Sequence, residues 1–172
     1  DNGDKLTGGL PGTKNQDGDR YVEIWNLVFM EYQKNKYGLK KLYKKCVDTG
    51  MGLERITALL SGKNNNYETD LFDFVFRDVE KIIGTKMTKQ NEIPFRVISD
   101  HIKSICMLMS EGIIPSNEGK GYVLRRIIRR AIVQSNKIKK GEIFLNKLVK
   151  GVIEKYSKNY FELKKSQKFI EE

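Results

Sequence analysis

Between Val47 and Arg55 the chain reads Val-Asp-Thr-Gly-Met-Gly-Leu-Glu-Arg, a run that must leave one kind of element and enter another within a few residues. Apolar residues recur after it at Leu53, Ile56, Leu59 and Leu60, so a helix is predicted to open near Gly50 or Met51 and to end at Gly62. Two glycines one residue apart let a backbone approach a ligand closely, because no Cβ blocks the way. A helix N-terminus presents unpaired N–H groups and favours anions. Arg55, one turn in, offers a planar cationic fork for a phosphate or for stacking on a base. The same residues also make an ordinary strand-to-helix turn, and the run alone leaves both readings open.

The segments on either side set the fold class. Residues 1–19 hold five glycines and many polar groups and read as a flexible surface loop. In residues 20–33, Val22, Ile24, Leu27, Phe29 and Tyr32 mix with Trp25, Val28 and Met30. Such a run is apolar on both faces and suits a central strand covered on both sides. Turn residues at 33–38 and a return strand over 39–47 complete an antiparallel hairpin. Beyond Gly62 the period changes. Thr69 or Asp70 is placed to cap a helix through Ile83 with Leu71, Phe74, Val75, Val79 and Ile82 on its apolar stripe, and Gly84 ends it. A helix over 94–111 follows, with Pro94 at its first position and Val97, Ile98, Ile102, Ile105, Leu108 and Met109 inward. Three more are predicted at 121–136, 141–157 and 159–171. The expected class is α+β: an antiparallel sheet piece over 1–62, then an all-helical domain over 63–172.

Charge is distributed unevenly. Of 32 Lys/Arg and 22 Asp/Glu, residues 120–172 hold fifteen and five, which is the whole net charge of +10. Such asymmetry suggests a polyanion partner on the C-terminal side, although lysines after Lys137 also fit a plain solvated surface. The helix from Gly121 sharpens the point. At 100° per residue Leu124, Ile127, Ile128 and Ala131 fall on one side, and Arg125, Arg126, Arg129 and Arg130 on the other. Four guanidinium groups on one face need anions or acids between them, either phosphates or carboxylates of a neighbouring domain. Cys46 and Cys106 have no metal-ligand spacing, so neither a zinc site nor a disulfide framework is expected. No apolar run approaches the roughly 20 residues that span a bilayer, so no membrane is expected as a partner. His101, the only histidine, has no second ligand at helical spacing and reads as a structural helix residue.

The run Gly50-Met51-Gly52-Leu53-Glu54-Arg55 resembles the third signature motif of class II aminoacyl-tRNA synthetases. Three further blocks, in family order, resemble the alanyl-tRNA synthetase family in particular. They are Tyr21-Val22-Glu23-Ile24-Trp25-Asn26-Leu27-Val28-Phe29-Met30, Arg96-Val97-Ile98-Ser99-Asp100-His101-Ile102, and Pro115-Ser116-Asn117-Glu118 followed by Gly121-Tyr122-Val123-Leu124-Arg125-Arg126-Ile127-Ile128-Arg129-Arg130-Ala131. The resemblance implies an ATP site at Ile24, Trp25, Asn26, Gly52 and Arg55, and an alanine site at Asn26, Asp48 and Gly50. Asp48 would bind the substrate ammonium; read without the family, it is equally an Asx-turn or cap at the Thr49–Gly50 corner. Trp25 and Asn26 point to opposite faces of their strand, and either can act through its backbone. Asn117 would help recognise the G·U pair of the tRNA(Ala) acceptor stem, since an amide can donate and accept where arginine only donates; otherwise it caps the next element. Arg125, Arg126, Arg129 and Arg130 would meet the RNA or hold the loop that does.

The implied reaction forms alanyl-adenylate from alanine and ATP with Mg²⁺, then passes the alanyl group to tRNA(Ala), in the cytoplasm or, as an alternative left open, in an organelle. No residue of this chain is assigned to the chemistry itself. By the resemblance the chain begins after the family's first two motifs and ends before the zinc ligands of the editing domain. The expectation is therefore that this polypeptide alone does not activate alanine and works with the remaining domains of a parent chain. Two other classes stay open on the sequence: a stand-alone RNA-binding module and a synthetase-like, nucleotide-binding paralogue.

Overall fold

A computed structural model describes residues 1–172. The chain divides into two compact units, Asp1–Asn66 and Tyr67–Glu172. The division falls four residues beyond the expected boundary at residue 62.

In the first unit, residues 1–19 contain no helix or strand, as their glycine content predicts. The segment nonetheless closes on itself: Asn2 N donates to Arg20 O at 2.7 Å and Arg20 N to Thr7 O at 3.0 Å. Strand β1 (Trp25–Asn35) then pairs antiparallel with β2 (Gly38–Met51) in a two-stranded sheet. The hairpin loop is Lys36-Tyr37, and Gly38 beside it has φ +119°, a conformation that L side chains rarely adopt. The register runs from Asn35↔Gly38 to Trp25↔Met51, with an irregularity between Met30 and Tyr32. The return strand is thus longer than the predicted 39–47, because the Asp-Thr-Gly-Met segment extends the ladder before the chain turns.

Two expectations need correction here. The helix does not open at Gly50 or Met51: α1 spans Leu53–Leu60, with Gly52 as its extended N-cap (φ −74°, ψ 111°). Gly50 and Met51 belong to the sheet, since each still has a partner on β1. Nor is β1 covered on both sides. Trp25, Leu27, Phe29 and Tyr32 are all exposed, Phe29 to 74%. Apolar alternation records what a strand is suited to bury against, and the structure leaves both of its faces open.

The second unit holds the core. Helix α2 (Asp70–Ile83) starts after Thr69 and stops at Gly84, whose φ of +74° closes the helix in the left-handed conformation. It buries Phe72, Val75, Phe76, Val79 and Ile83; the predicted stripe was rotated, and Leu71, Phe74 and Ile82 lie at its margin. Helix α3 (Glu92–Ser110) is the centre of the unit and packs against α2, α4, α5, α6 and α7. Pro94 is its third residue rather than its first, still within the turn where an N–H has no helical acceptor. Phe95, Ile98, Ile102, Ile105 and Cys106 are buried on it. Helices α4 (Gly119–Ile138) and α5 (Leu145–Tyr156) follow. The predicted single helix over 159–171 is two short ones, α6 (Phe161–Lys165) and α7 (Gln167–Glu171), hinged at Ser166. No helix is long and apolar enough to cross a membrane.

Candidate functional site

The register of the hairpin sorts the residues of the first unit. Directly opposed residues of an antiparallel pair share a face, and neighbours along a strand alternate. Asn26↔Gly50 and Val28↔Asp48 are opposed pairs, so Asn26, Asp48 and Gly50 lie on one face. Trp25↔Met51 and Leu27↔Thr49 lie on the other. A Cβ on Gly50 would sit 3.8 Å from Asn26 Oδ1, so the glycine leaves the floor beside that amide open. Asp48 Oδ1 accepts a hydrogen bond from Thr49 N at 2.9 Å, one residue on, and not the bond from Gly50 N that an Asx-turn would make. It does not cap α1, which has no side-chain cap bond. Its second carboxylate oxygen makes no bond, and the side chain is exposed.

Trp25 is held on the opposite face, where its Nε1 donates to Thr49 Oγ1. That hydroxyl in turn donates to Asn26 O at 3.2 Å. Only the backbone of Trp25 is therefore available to the Asp48 face. Ile24 is half-buried, and its carbonyl accepts from Gly52 N at 3.0 Å, which ties the start of α1 to the residue before β1. Arg55 folds its stem back over Gly52, with Cδ 3.5 Å from where a Cβ would stand. Its Nη1 donates to Glu23 O at 2.6 Å, so one arm of the fork is anchored and the side chain stays exposed. Ile24, Gly52 and Arg55 thus adjoin one another at the Gly-x-Gly corner. Thr49 is the residue the sequence did not single out; its role depends on which face each neighbour occupies.

In the second unit the two sides of α4 separate as predicted. Leu124 and Ala131 are fully buried, Ile127 and Ile128 half-buried, and Arg125, Arg126, Arg129 and Arg130 exposed. None of the four arginines makes an ion pair within this chain. With Tyr122 and His101 they line an open groove of about 570 Å³. Arg126 lies over the Tyr122 ring at 5.8 Å. His101 is a buried residue of α3 whose Nδ1 meets Asp100 Oδ2 at 2.9 Å. Asn117 sits in the exposed loop before α4 and does not cap it; its Oδ1 instead accepts from Arg125 Nη1. Gly121 is a second residue the sequence did not mark. A Cβ there would stand 2.3 Å from both Ile114 O and Ser116 Oγ, so loop and helix touch backbone to backbone.

The chain gathers no group of three or more His, Cys, Asp or Glu side chains that could hold a metal ion.

The sequence that carries this hairpin, Gly-x-Gly corner and arginine face matches one family model over its whole length. The model described as tRNA synthetases class II (A) covers residues 1–172, and the chain belongs to that family. It is 45% identical over 171 residues to the alanine–tRNA ligase of Rickettsia bellii and 45% to that of Rickettsia felis. To the alanine–tRNA ligase of Rickettsia typhi it is 46% identical over the same length. Each match takes in 99% of this chain and 20% of the relative, so the chain spans about a fifth of the curated relatives it matches.

Proposed function

We propose that this chain is part of an alanine–tRNA ligase, in which the first unit supplies one wall of the alanine and ATP pocket and the second reads the acceptor stem of tRNA(Ala). The observation that carries the reading is the shared face of Asn26, Asp48 and Gly50. A carboxylate with one free oxygen, an amide and a bare glycyl floor suit the ammonium and small side chain of alanine. Arg55 and Gly52, with the backbone at Ile24 and Trp25, suit a nucleotide triphosphate, which would arrive with Mg²⁺. Catalysis by such a wall is positioning and charge stabilisation: the alanine carboxylate attacks the α-phosphorus of ATP and pyrophosphate leaves. The terminal adenosine hydroxyl of the tRNA then attacks the alanyl carbonyl and AMP leaves. Arg125, Arg126, Arg129 and Arg130 would meet the RNA or hold the loop that does, and Asn117 would take a base edge. A cytoplasmic setting follows from that reading.

The test is ATP–pyrophosphate exchange and tRNA aminoacylation by the full-length protein that contains this sequence. Exchange with alanine, and alanylation of tRNA(Ala), are expected. Exchange with a different amino acid, or with none, would overturn the proposal.

A further inference from the structure

We propose that Arg125 is a positioning residue that fixes the orientation of the Asn117 amide, so that its Nδ2 amine is presented to RNA as a hydrogen-bond donor. The inference rests on the tRNA-reading role proposed above and specifies its chemistry. Arg125 Nη1 donates to Asn117 Oδ1. A guanidinium has five N–H groups and no acceptor, so a flipped amide would set N–H against N–H. The amide orientation is therefore dictated by its partner. With Oδ1 turned to the guanidinium, the opposite end of the amide is the Nδ2 amine, which can only donate. The loop that carries it is seated twice. Gly121 lets the Ile114 carbonyl and Ser116 hydroxyl lie against the first turn of α4, and Ser116 Oγ donates to Glu118 O at 2.9 Å. Arg125 adds the side-chain anchor eight residues from Asn117. Arg126, Arg129 and Arg130, which bond to no side chain of the loop, are left to the phosphates.

The two roles open to Arg125 separate in one experiment. Acceptor-stem RNA duplexes that differ only at one pair, G·U, G·C or A·U, are titrated with the full-length protein that contains this sequence, and with its variants, at several salt concentrations. The unmodified chain is expected to prefer one duplex, by an affinity ratio on the order of tenfold. Arg125→Met should bring the ratio to near one and leave the slope of log K against log[salt] unchanged. Arg125→Lys, which keeps a donor, should restore part of it. Asn117→Asp, an acceptor-only side chain that still suits Arg125, should also abolish the preference. A uniform weakening with Arg125→Met, with the slope smaller by about 1, would make Arg125 a phosphate contact and overturn the inference. A preference retained in Asn117→Asp would overturn it too, since the reading group would then be an acceptor. No preference in the unmodified chain sinks the inference alone; no binding at all sinks the tRNA-reading role beneath it.

Discussion

Single atoms decide the two corners on which the function turns. At Gly121 the absent Cβ matters more than helix propensity. In an ordinary helix interior Gly→Ala stabilises by about 1 kcal/mol. Here the added carbon would meet a backbone carbonyl and a hydroxyl at 2.3 Å, so Gly121→Ala should lower the melting temperature and weaken RNA binding together. Ser99 makes the opposite case: it is fully buried on α3 and its hydroxyl has no partner. Ser99→Ala should therefore raise stability, by up to about 1 kcal/mol in chemical denaturation, because it removes a desolvated, unbonded group. The motif around Gly50, Gly52 and Arg55 was legible in the sequence, since glycine spacing and a following apolar period are local signals. Thr49 and Gly121 were not. What they do depends on the neighbour across the ladder or beneath the loop, and no local pattern reports that.

At the scale of elements, helix α3 holds the second unit together. Phe95 is fully buried on it, so Phe95→Ala should cost about 3–5 kcal/mol in urea unfolding of the helical unit. Cys106 on the same helix is also fully buried, and burial pushes its thiol from 9.0 up to about 12. The folded state keeps the proton after the unfolded chain has lost it. Stability should thus be constant in this group below about pH 9 and fall above it by up to about 1.4 kcal/mol per pH unit. Cys106→Ala should remove that slope. An Ellman titration at neutral pH should find the exposed Cys46 reactive and Cys106 silent until the chain unfolds. The boundaries of α2 were readable because Thr69 and Gly84 are chemical punctuation at its ends. The break at Ser166 was not, because serine carries no comparable signal and the flanking residues continue the helical period. The hairpin was readable as β structure, while its exposure was not, since alternation says nothing about what lies on top of a strand.

The two units present different surfaces. One carries a polar face of three residues fixed by strand register; the other carries the basic excess and the groove lined by Arg125, Arg126, Arg129 and Arg130. Because the Asp48 face is open to water in this chain, charge pairs made there are weak and screened. The 172-residue polypeptide should accordingly show no alanine-dependent ATP–pyrophosphate exchange while still binding acceptor-stem RNA with a steep salt dependence. The central claim is that the Asp48 carboxylate receives the alanine ammonium on that face. It is tested most directly by the kinetics of exchange in the full-length protein carrying Asp48→Asn. We expect KM for alanine to rise by about a hundredfold, the loss of a charge-assisted hydrogen bond, with KM for ATP within about threefold of its original value. An unchanged KM for alanine, or an equal rise for both substrates, would contradict the account.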